Sequence, residues 1–247
     1  MLRQFAATSV STVIDHVFPP TCLACNARVA AASGLCPTCW KTTYFIGSSA
    51  CQTCGVPLDG AEDGDATCDE CLTVARPWHK GRAALAYAET GRSLVMGLKH
   101  GDRSEIAKVA GAWMARQAEP LVAGPETLIV PVPLHWSRQV KRRFNQAALL
   151  ASVVGRELGL EMQDSILRRV RATQTMQEMD RQTRFANVSE AFVVPPRKQA
   201  KIAGRPILLI DDVMTSGATF AACSTALKGA GAGNVCVLAL ARTVKFA

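Results

Sequence analysis

The sequence has few aromatic side chains and no long hydrophobic run. Phe, Trp and Tyr make up 6% of the 247 residues, so a surface that stacks on nucleic-acid bases would have few rings to use. A run of about 18 apolar residues, which a membrane-spanning helix needs, does not occur. The first 20 residues contain Gln4, Asp15 and His16 and lack the apolar centre of a secretory signal. We therefore expect a cytoplasmic protein with reduced thiols.

The excess of positive charge is confined to the second part of the chain. Residues 1–80 contain 5 Lys/Arg and 7 Asp/Glu, a net charge of −2, whereas residues 81–247 contain 23 and 13, a net charge of +10. Such a basic domain predicts a polyanionic ligand, either several phosphates on one small molecule or a nucleic-acid backbone.

Eight of the ten cysteines form four C-x-x-C pairs before residue 72. A single pair usually indicates redox chemistry, but four pairs in a segment with little apolar content favour two structural zinc ions, whose binding would supply folding free energy. The predicted ligands are Cys22, Cys25, Cys36, Cys39, Cys51, Cys54, Cys68 and Cys71. Consecutive pairing gives two ribbons in series, and the spacing also permits interleaved pairing.

The most informative stretch is residues 207–219, ILLIDDVMTSGAT. Four apolar residues at 207–210 predict a parallel strand covered on both faces, and residues 217–230 predict a helix. Residues 213–218 are then a loop at the carboxyl end of a sheet, where open α/β sheets bind ligands. Asp211 and Asp212 are expected to be solvent-accessible at the end of the strand.

The predicted loop combines hydroxyls with small residues. With the N–H groups of the following helix they form a cradle for a phosphate dianion. Two carboxylates beside a phosphate would repel it unless they bind sugar hydroxyls or a metal ion, so a ribose 5-phosphate satisfies both halves. The alternative is a solvated strand end followed by an ordinary helix N-cap.

This stretch resembles the phosphoribosyl pyrophosphate (PRPP) motif of type I phosphoribosyltransferases. The resemblance implies an α/β parallel sheet flanked by helices, and PRPP bound together with Mg²⁺. It also implies that the two acidic residues contact the ribose 2- and 3-hydroxyls and that the loop surrounds the 5-phosphate. The implied PRPP-binding residues are Asp211, Asp212, Val213, Met214, Thr215, Ser216, Gly217, Ala218 and Thr219.

A basic turn follows another predicted strand, at residues 127–132. The sequence PVPL and the basic segment before FNQ resemble the ComF family of competence-associated proteins, although Arg143 stands where that family has glycine. The comparable loop of type I phosphoribosyltransferases holds pyrophosphate, which implies anion binding here by Pro133, Leu134, Arg138 and Arg142. Residues 172–187 resemble the family's polar hood, a mobile segment over the site.

The resemblance to the ComF family spans the chain and divides it into three parts. These are an N-terminal segment at 1–20, a double zinc ribbon at 21–76 and a phosphoribosyltransferase-like domain at 81–247. Residues 76–80 are interpreted as a linker, so the last two parts are expected to have separate cores. The other predicted strands are 83–88, 166–171 and 234–241, and the other predicted helices are 91–98, 104–118 with Ser104 as N-cap, and 146–158.

Two functions are compatible with these features. As an enzyme, the protein would transfer the phosphoribosyl group of PRPP to a nitrogen nucleophile, by positioning and charge stabilisation alone; no sequence feature identifies the acceptor. As a binding module, it would keep the fold without transferase activity. The ComF resemblance implies a role in DNA uptake and natural transformation, with single-stranded DNA and competence proteins as partners.

The cysteine count predicts two tightly bound zinc ions per chain, because eight thiolates fill two tetrahedral sites and leave none over. Elemental analysis of protein purified without oxygen or chelators measures this. Metal-free protein with four intact disulfides would contradict the prediction, and a single zinc ion would mean that one ribbon is degenerate.

Overall fold

The computed structural model describes residues 19–29, 34–58, 66–100, 103–134, 144–171 and 190–244. Two cysteine-containing segments, each with one short helix, precede an alternation of strands and helices. The helices are Pro37–Lys41 (α1), Asp69–Thr73 (α2), Glu89–His100 (α3), Glu105–Ala118 (α4), Gln146–Leu158 (α5), Pro196–Gln199 (α6) and Ala218–Gly229 (α7), with a 3₁₀ turn at Glu119–Leu121. The strands are Gly81–Ala86 (β1), Leu128–Pro131 (β2), Arg168–Arg169 (β3), Phe192–Val193 (β4), Ile207–Met214 (β5) and Val235–Arg242 (β6).

Four of these strands form a parallel sheet in the order β1-β6-β5-β2. Strand β5 lies between its neighbours with Leu209 opposite Val237 of β6 and Val130 of β2. Strands β3 and β4 form a separate antiparallel pair. The predicted fold class, a parallel sheet flanked by helices, is confirmed.

The continuous apolar run of β5 is buried on both faces of the sheet. Ile207 and Leu209 belong to one core cluster, together with α7, whereas Leu208 and Ile210 belong to a second cluster, together with α3, α4 and α5. Successive side chains of a strand point to opposite faces, so a strand covered on both sides has no polar position in its buried part. None of the helices in the described ranges is both long and apolar enough to cross a bilayer.

Helix α5 has the predicted bounds because local signals fix both of its ends. The Asn145 side chain accepts a hydrogen bond from the Ala147 amide at 3.1 Å, and Gly159 adopts the left-handed conformation at φ 67°. Ser104 stands at the N-cap position of α4, as predicted, but it has helical backbone angles and its side chain makes no capping hydrogen bond. A Cβ at Gly111 of α4 would lie 2.5 Å from a carbon of Val153, so α4 and α5 pack in close contact.

Strand β5 is longer than its apolar run. It continues to Met214 because β6 pairs with it along its length, placing Asp211 opposite Ala239 and Val213 opposite Ala241. The predicted loop at 213–218 is therefore reduced to residues 215–217. The predicted strand at 166–171 is also shorter, since only Arg168–Arg169 pairs with β4.

The predicted linker at 76–80 is instead a packed segment. Trp78 is 4% exposed and its indole Nε1 donates to the Thr53 carbonyl at 2.6 Å. Its ring lies in the same core cluster as Cys51 and Cys54 and meets Phe220 of α7 with ring centroids 6.4 Å apart. The expectation of separate cores is therefore wrong: the second ribbon covers one face of the sheet.

The first cysteine segment packs against the opposite face of the sheet. Leu23 packs with the cluster of α3, α4 and α5, and its carbonyl accepts a hydrogen bond from Arg103 Nη1 at 3.0 Å. Cys22, Cys36 and Cys39 form a small cluster of their own.

The shared core predicts that Trp78→Ala destabilises the whole molecule. Removing a fully buried tryptophan typically costs about 3–5 kcal/mol of unfolding free energy. Trp40→Ala is the matched control because Trp40 is 54% exposed; we expect a loss of about 1 kcal/mol, the size of one aromatic pair. Denaturant unfolding followed by far-UV circular dichroism measures both. A sheet transition that is unchanged in Trp78→Ala would contradict the shared core.

Candidate functional site

The loop between β5 and α7 forms an open turn at the carboxyl edge of the sheet. It comprises Thr215, Ser216 and Gly217, and α7 begins at Ala218. The Ala218 amide donates a long hydrogen bond to Ser216 Oγ at 3.4 Å, and the N-cap residue Gly217 has no side chain to cover the first turn of the helix. The next amide groups of that turn, with the positive end of the helix dipole, are therefore available to an anion.

Glycine is required at the N-cap of α7 for two reasons. Gly217 has φ 80°, a conformation that other residues rarely adopt, and an added Cβ would lie 2.9 Å from Trp78 Cη2. The second ribbon thus supports the rear of the loop, and only a residue without a side chain lets the backbone approach that closely.

The two acidic residues lie within β5 and point to opposite faces of the sheet. Asp211 is on the α7 face and its Oδ1 accepts a hydrogen bond from the Asp212 amide at 2.8 Å. Asp212 is on the other face, where Lys99 Nζ of α3 lies 3.1 Å from its Oδ1. Asp212 is only 8% exposed, so the expectation that both carboxylates are solvent-accessible is wrong.

The Asp211 carboxyl has an unusual proton affinity. Burial raises its pKa to about 7, with a further increase from the charge of Asp212, against the lowering effect of the Asp212 amide and of Lys99 and Arg169. The net charge of the site can therefore change by one unit near neutral pH, as Asp211 gains or loses a proton. Lys99 and Arg169 were not among the predicted site residues, since no local sequence pattern links them to residues more than 40 positions away.

The cysteines form two sets of four, each with its sulfur atoms within 4.8 Å of one another. One set is Cys22, Cys25, Cys36 and Cys39, and the other is Cys51, Cys54, Cys68 and Cys71. Pairing is therefore consecutive. Cys25 and Cys36 Sγ are 3.7 Å apart, as are Cys54 and Cys68 Sγ, close to the roughly 3.8 Å that tetrahedral Zn–S bonds of about 2.3 Å imply.

The thiols of both sets suit zinc rather than disulfides. All eight cysteines are free. A hydrogen bond from the Cys54 thiol, assisted by backbone amides and opposed by burial, lowers the pKa of Cys51 to about 4. The thiolate form, which zinc requires, is thereby favoured at Cys51, whereas the same hydrogen bond and burial raise the pKa of Cys54. His79 is exposed and belongs to neither set.

A second feature of the same edge is a cationic cavity of about 700 Å³ beyond β2. Pro133 and Leu134 line it, as do Arg169 and Asp164. Its further basic residues are Arg168, Arg197, Lys198 and Lys201. Arg138 and Arg142 of the predicted pyrophosphate turn, and the predicted hood at 172–187, lie outside the described residues.

The raised pKa of Asp211 predicts a pH dependence of stability. An unfolded Asp ionises near pH 3.9 whereas Asp211 ionises at about 7. The folded chain therefore binds more protons between these values, and its stability falls as the pH rises through that window. Asp211→Asn removes this fall, so its Tm at pH 8 should exceed that of the wild type by several degrees, with a small difference at pH 4.

Thermal unfolding between pH 4 and 8 checks this. Asp164→Asn is the control, because Asp164 is an exposed carboxylate of the neighbouring cavity and its loss should leave the pH slope unchanged. Parallel curves for the wild type and Asp211→Asn would contradict the raised pKa of this partly buried group.

Solved structures offer a weak likeness to this chain. A glutamine PRPP amidotransferase from B. subtilis matches 59% of this chain and 30% of its own, with a TM-score of 0.39 and 17% identity. A structure described as the allosteric regulatory enzyme of purine biosynthesis gives a TM-score of 0.38 over the same shares at 17% identity.

Sequence relatives match nearly the full length. A family model described as a double zinc ribbon domain matches residues 13–72. DNA utilization protein YhgH of Shigella flexneri is 31% identical over 233 residues, which is 92% of this chain and 98% of the relative. Competence protein F of Haemophilus influenzae is 29% identical over 228 residues, 90% and 96% of the two chains. With its two cysteine tetrads and this extent of similarity, the chain belongs to the ComF family.

Proposed function

We propose that this protein binds PRPP with Mg²⁺ at the carboxyl edge of the sheet, with the 5-phosphate on the loop between β5 and α7. The observation that carries the proposal is that a helix start with glycine as its N-cap follows, after three loop residues, a strand that bears the carboxylates of Asp211 and Asp212. The loop offers amides and hydroxyls to a dianion, and the carboxylates offer acceptors to the ribose hydroxyls.

Two cations help this site to tolerate the ligand's charges. Lys99 forms an ion pair with Asp212. The positive charges of Lys99 and Arg169 also act to lower the pKa of Asp211. Either can turn towards the pyrophosphate when the carboxylates accept hydrogen bonds from ribose. Mg²⁺ bound together with PRPP would neutralise part of the remaining ligand charge.

In a transfer reaction the bond between ribose carbon 1 and pyrophosphate breaks and a bond to a nitrogen nucleophile forms. Pyrophosphate leaves with the bonding electrons, and carbon 1 passes through an oxocarbenium-like state. The protein's part in such a reaction is to position the ribose and to stabilise the separating charges. The names of the relatives, DNA utilization protein and competence protein, support a role for this activity in the uptake or use of DNA.

A second candidate function is the binding of single-stranded DNA without transfer. The cationic cavity favours it, because Arg168, Arg197 and Lys201 are exposed there and one carboxylate, Asp164, lines the same cavity. A phosphate backbone crossing this surface would be held by charge, with little base stacking.

Replacing both Asp211 and Asp212 by Asn should weaken PRPP binding by roughly two to four decades. Each carboxylate would accept a charge-assisted hydrogen bond worth about 1.5–3 kcal/mol. Isothermal titration with PRPP and Mg²⁺ measures the change. Asp164→Asn, the same chemical change in the cavity, should stay within about twofold of the wild type. Unchanged PRPP affinity in the double variant would refute the assignment.

The same double variant tests the second function. Anisotropy of a labelled single-stranded oligonucleotide, measured over a range of salt concentrations, should show affinity that falls steeply with salt if DNA binds. Removing two negative charges should leave DNA affinity level or raise it. Equal losses for PRPP and DNA would mean that both ligands depend on the ribose site, and absence of salt-sensitive DNA binding in the wild type would dismiss the second function.

A further inference from the structure

Two arginines hold the rear of the loop by its carbonyl oxygens. Arg242, at the end of β6, donates from Nη1 to the Thr215 carbonyl at 2.6 Å and to the Met214 carbonyl at 3.3 Å. Arg76, in the second ribbon, donates from Nη1 to the Ser216 carbonyl at 3.0 Å. Three consecutive carbonyls are thus bound from the side opposite to the proposed ligand.

These bonds determine where the loop amides point. In a trans peptide the carbonyl of one residue and the N–H of the next point in opposite directions, and the described residues contain no cis peptide. Fixing the Thr215 and Ser216 carbonyls towards the arginines therefore directs the amides of Ser216 and Gly217 towards the open face. A phosphate needs its donors in this orientation.

The same two arginines face the second cysteine tetrad. Arg242 Nη2 lies 3.9 Å from Cys54 Sγ. Burial acts to lower the pKa of Arg76, but a hydrogen bond with the Cys71 side chain and the interaction with Glu70 raise it overall. Arg76 also pairs with Glu70. Each guanidinium therefore joins the cysteine tetrad to the loop.

Because both guanidiniums are buried, their positions depend on negative charge close to them. Arg242 is 5% exposed and the Arg76 side chain 2%, and the Nε of each is buried without a hydrogen-bond partner among the described residues. A buried cation requires an opposite charge nearby. Four thiolates around Zn²⁺ carry a net negative charge, whereas four protonated thiols carry none.

We infer that the second zinc site controls the shape of the anion-binding loop, with Arg76 and Arg242 as the positioning residues that connect them. Zinc at Cys51, Cys54, Cys68 and Cys71 keeps both guanidiniums in place, and they keep the loop amides directed at the ligand. The inference rests on the proposed PRPP site, and its consequence is thermodynamic coupling: zinc strengthens anion binding, and the anion strengthens zinc binding by the same factor.

The first test compares Arg242→Gln and Arg76→Gln with Arg82→Gln. Arg82 is the matched control because it is 9% exposed and also donates to the second ribbon, at the Cys51 carbonyl 3.3 Å away, but makes no described contact with the loop. Titration with PRPP and Mg²⁺ should show at least tenfold weaker binding in the first two variants and a change within about twofold in the control. Zinc content should remain two per chain in all three.

The second test measures the coupling directly. Chelator competition gives the zinc affinity of the second site with and without saturating PRPP; the first site serves as an internal reference. In the wild type PRPP should raise the affinity of the second site only, and Arg242→Gln should lose this effect. The inference would be overturned if Arg242→Gln and Arg82→Gln bound PRPP equally well. It would also be overturned if PRPP left the zinc affinity of the wild-type second site unchanged.

A third measurement separates this inference from the proposed function. If wild-type protein fails to bind PRPP, the proposed function is wrong, and amide hydrogen exchange across residues 215–219 then decides whether the arginines position the loop. Faster exchange in Arg242→Gln than in Arg82→Gln would support the connection, and equal exchange would refute it.

Discussion

The buried guanidinium of Arg242 is the contact on which the site most depends. Arg242 is the last residue of β6 that pairs with β5. Its guanidinium donates a hydrogen bond to a carbonyl of the loop after β5 and lies close to the sulfur of Cys54, a predicted zinc ligand. A charge buried to this degree is tolerable only with fixed partners on several sides. The last strand, the second ribbon and the loop between β5 and α7 are therefore parts of one polar arrangement, and a change in any of them alters the surroundings of the others.

The pleat of β5 also places the two carboxylates on opposite faces of the sheet. Because β5 keeps its pleat up to Met214, Asp211 and Asp212 leave the strand on opposite faces and acquire different neighbours. One carries an ion pair with Lys99, and the other has a pKa raised to about 7 by burial and by the neighbouring charge. Two residues of identical chemistry thus have different surroundings, and the raised pKa of Asp211 lets its charge change near neutral pH.

Much of the fold could be predicted from local signals, and the errors lie where distant segments meet. The C-x-x-C spacing predicted the two sets of zinc ligands, and residues next to its ends predicted the bounds of α5. The apolar run of β5 predicted a strand that is covered on both faces. The length of β5 depends on pairing with β6, which local pattern does not encode. The packing of Trp78 against Phe220 joins residues 142 positions apart, and for this reason residues 76–80 resembled a linker. Lys99 and Arg169 at the site were missed for the same reason.

The two zinc sites differ in what surrounds them, despite their common ligands. The first tetrad forms a cluster of its own, and its Cys25 is exposed. The second has Cys51 and Cys54 in the main core and buried arginines around it. Zinc in the first ribbon therefore stabilises a local fold, because Cys22, Cys36 and Cys39 cluster apart from the two main cores of the described residues. Zinc in the second ribbon lies beside buried cations that also bind the loop, so on our inference its binding free energy is shared with the geometry of the proposed anion site.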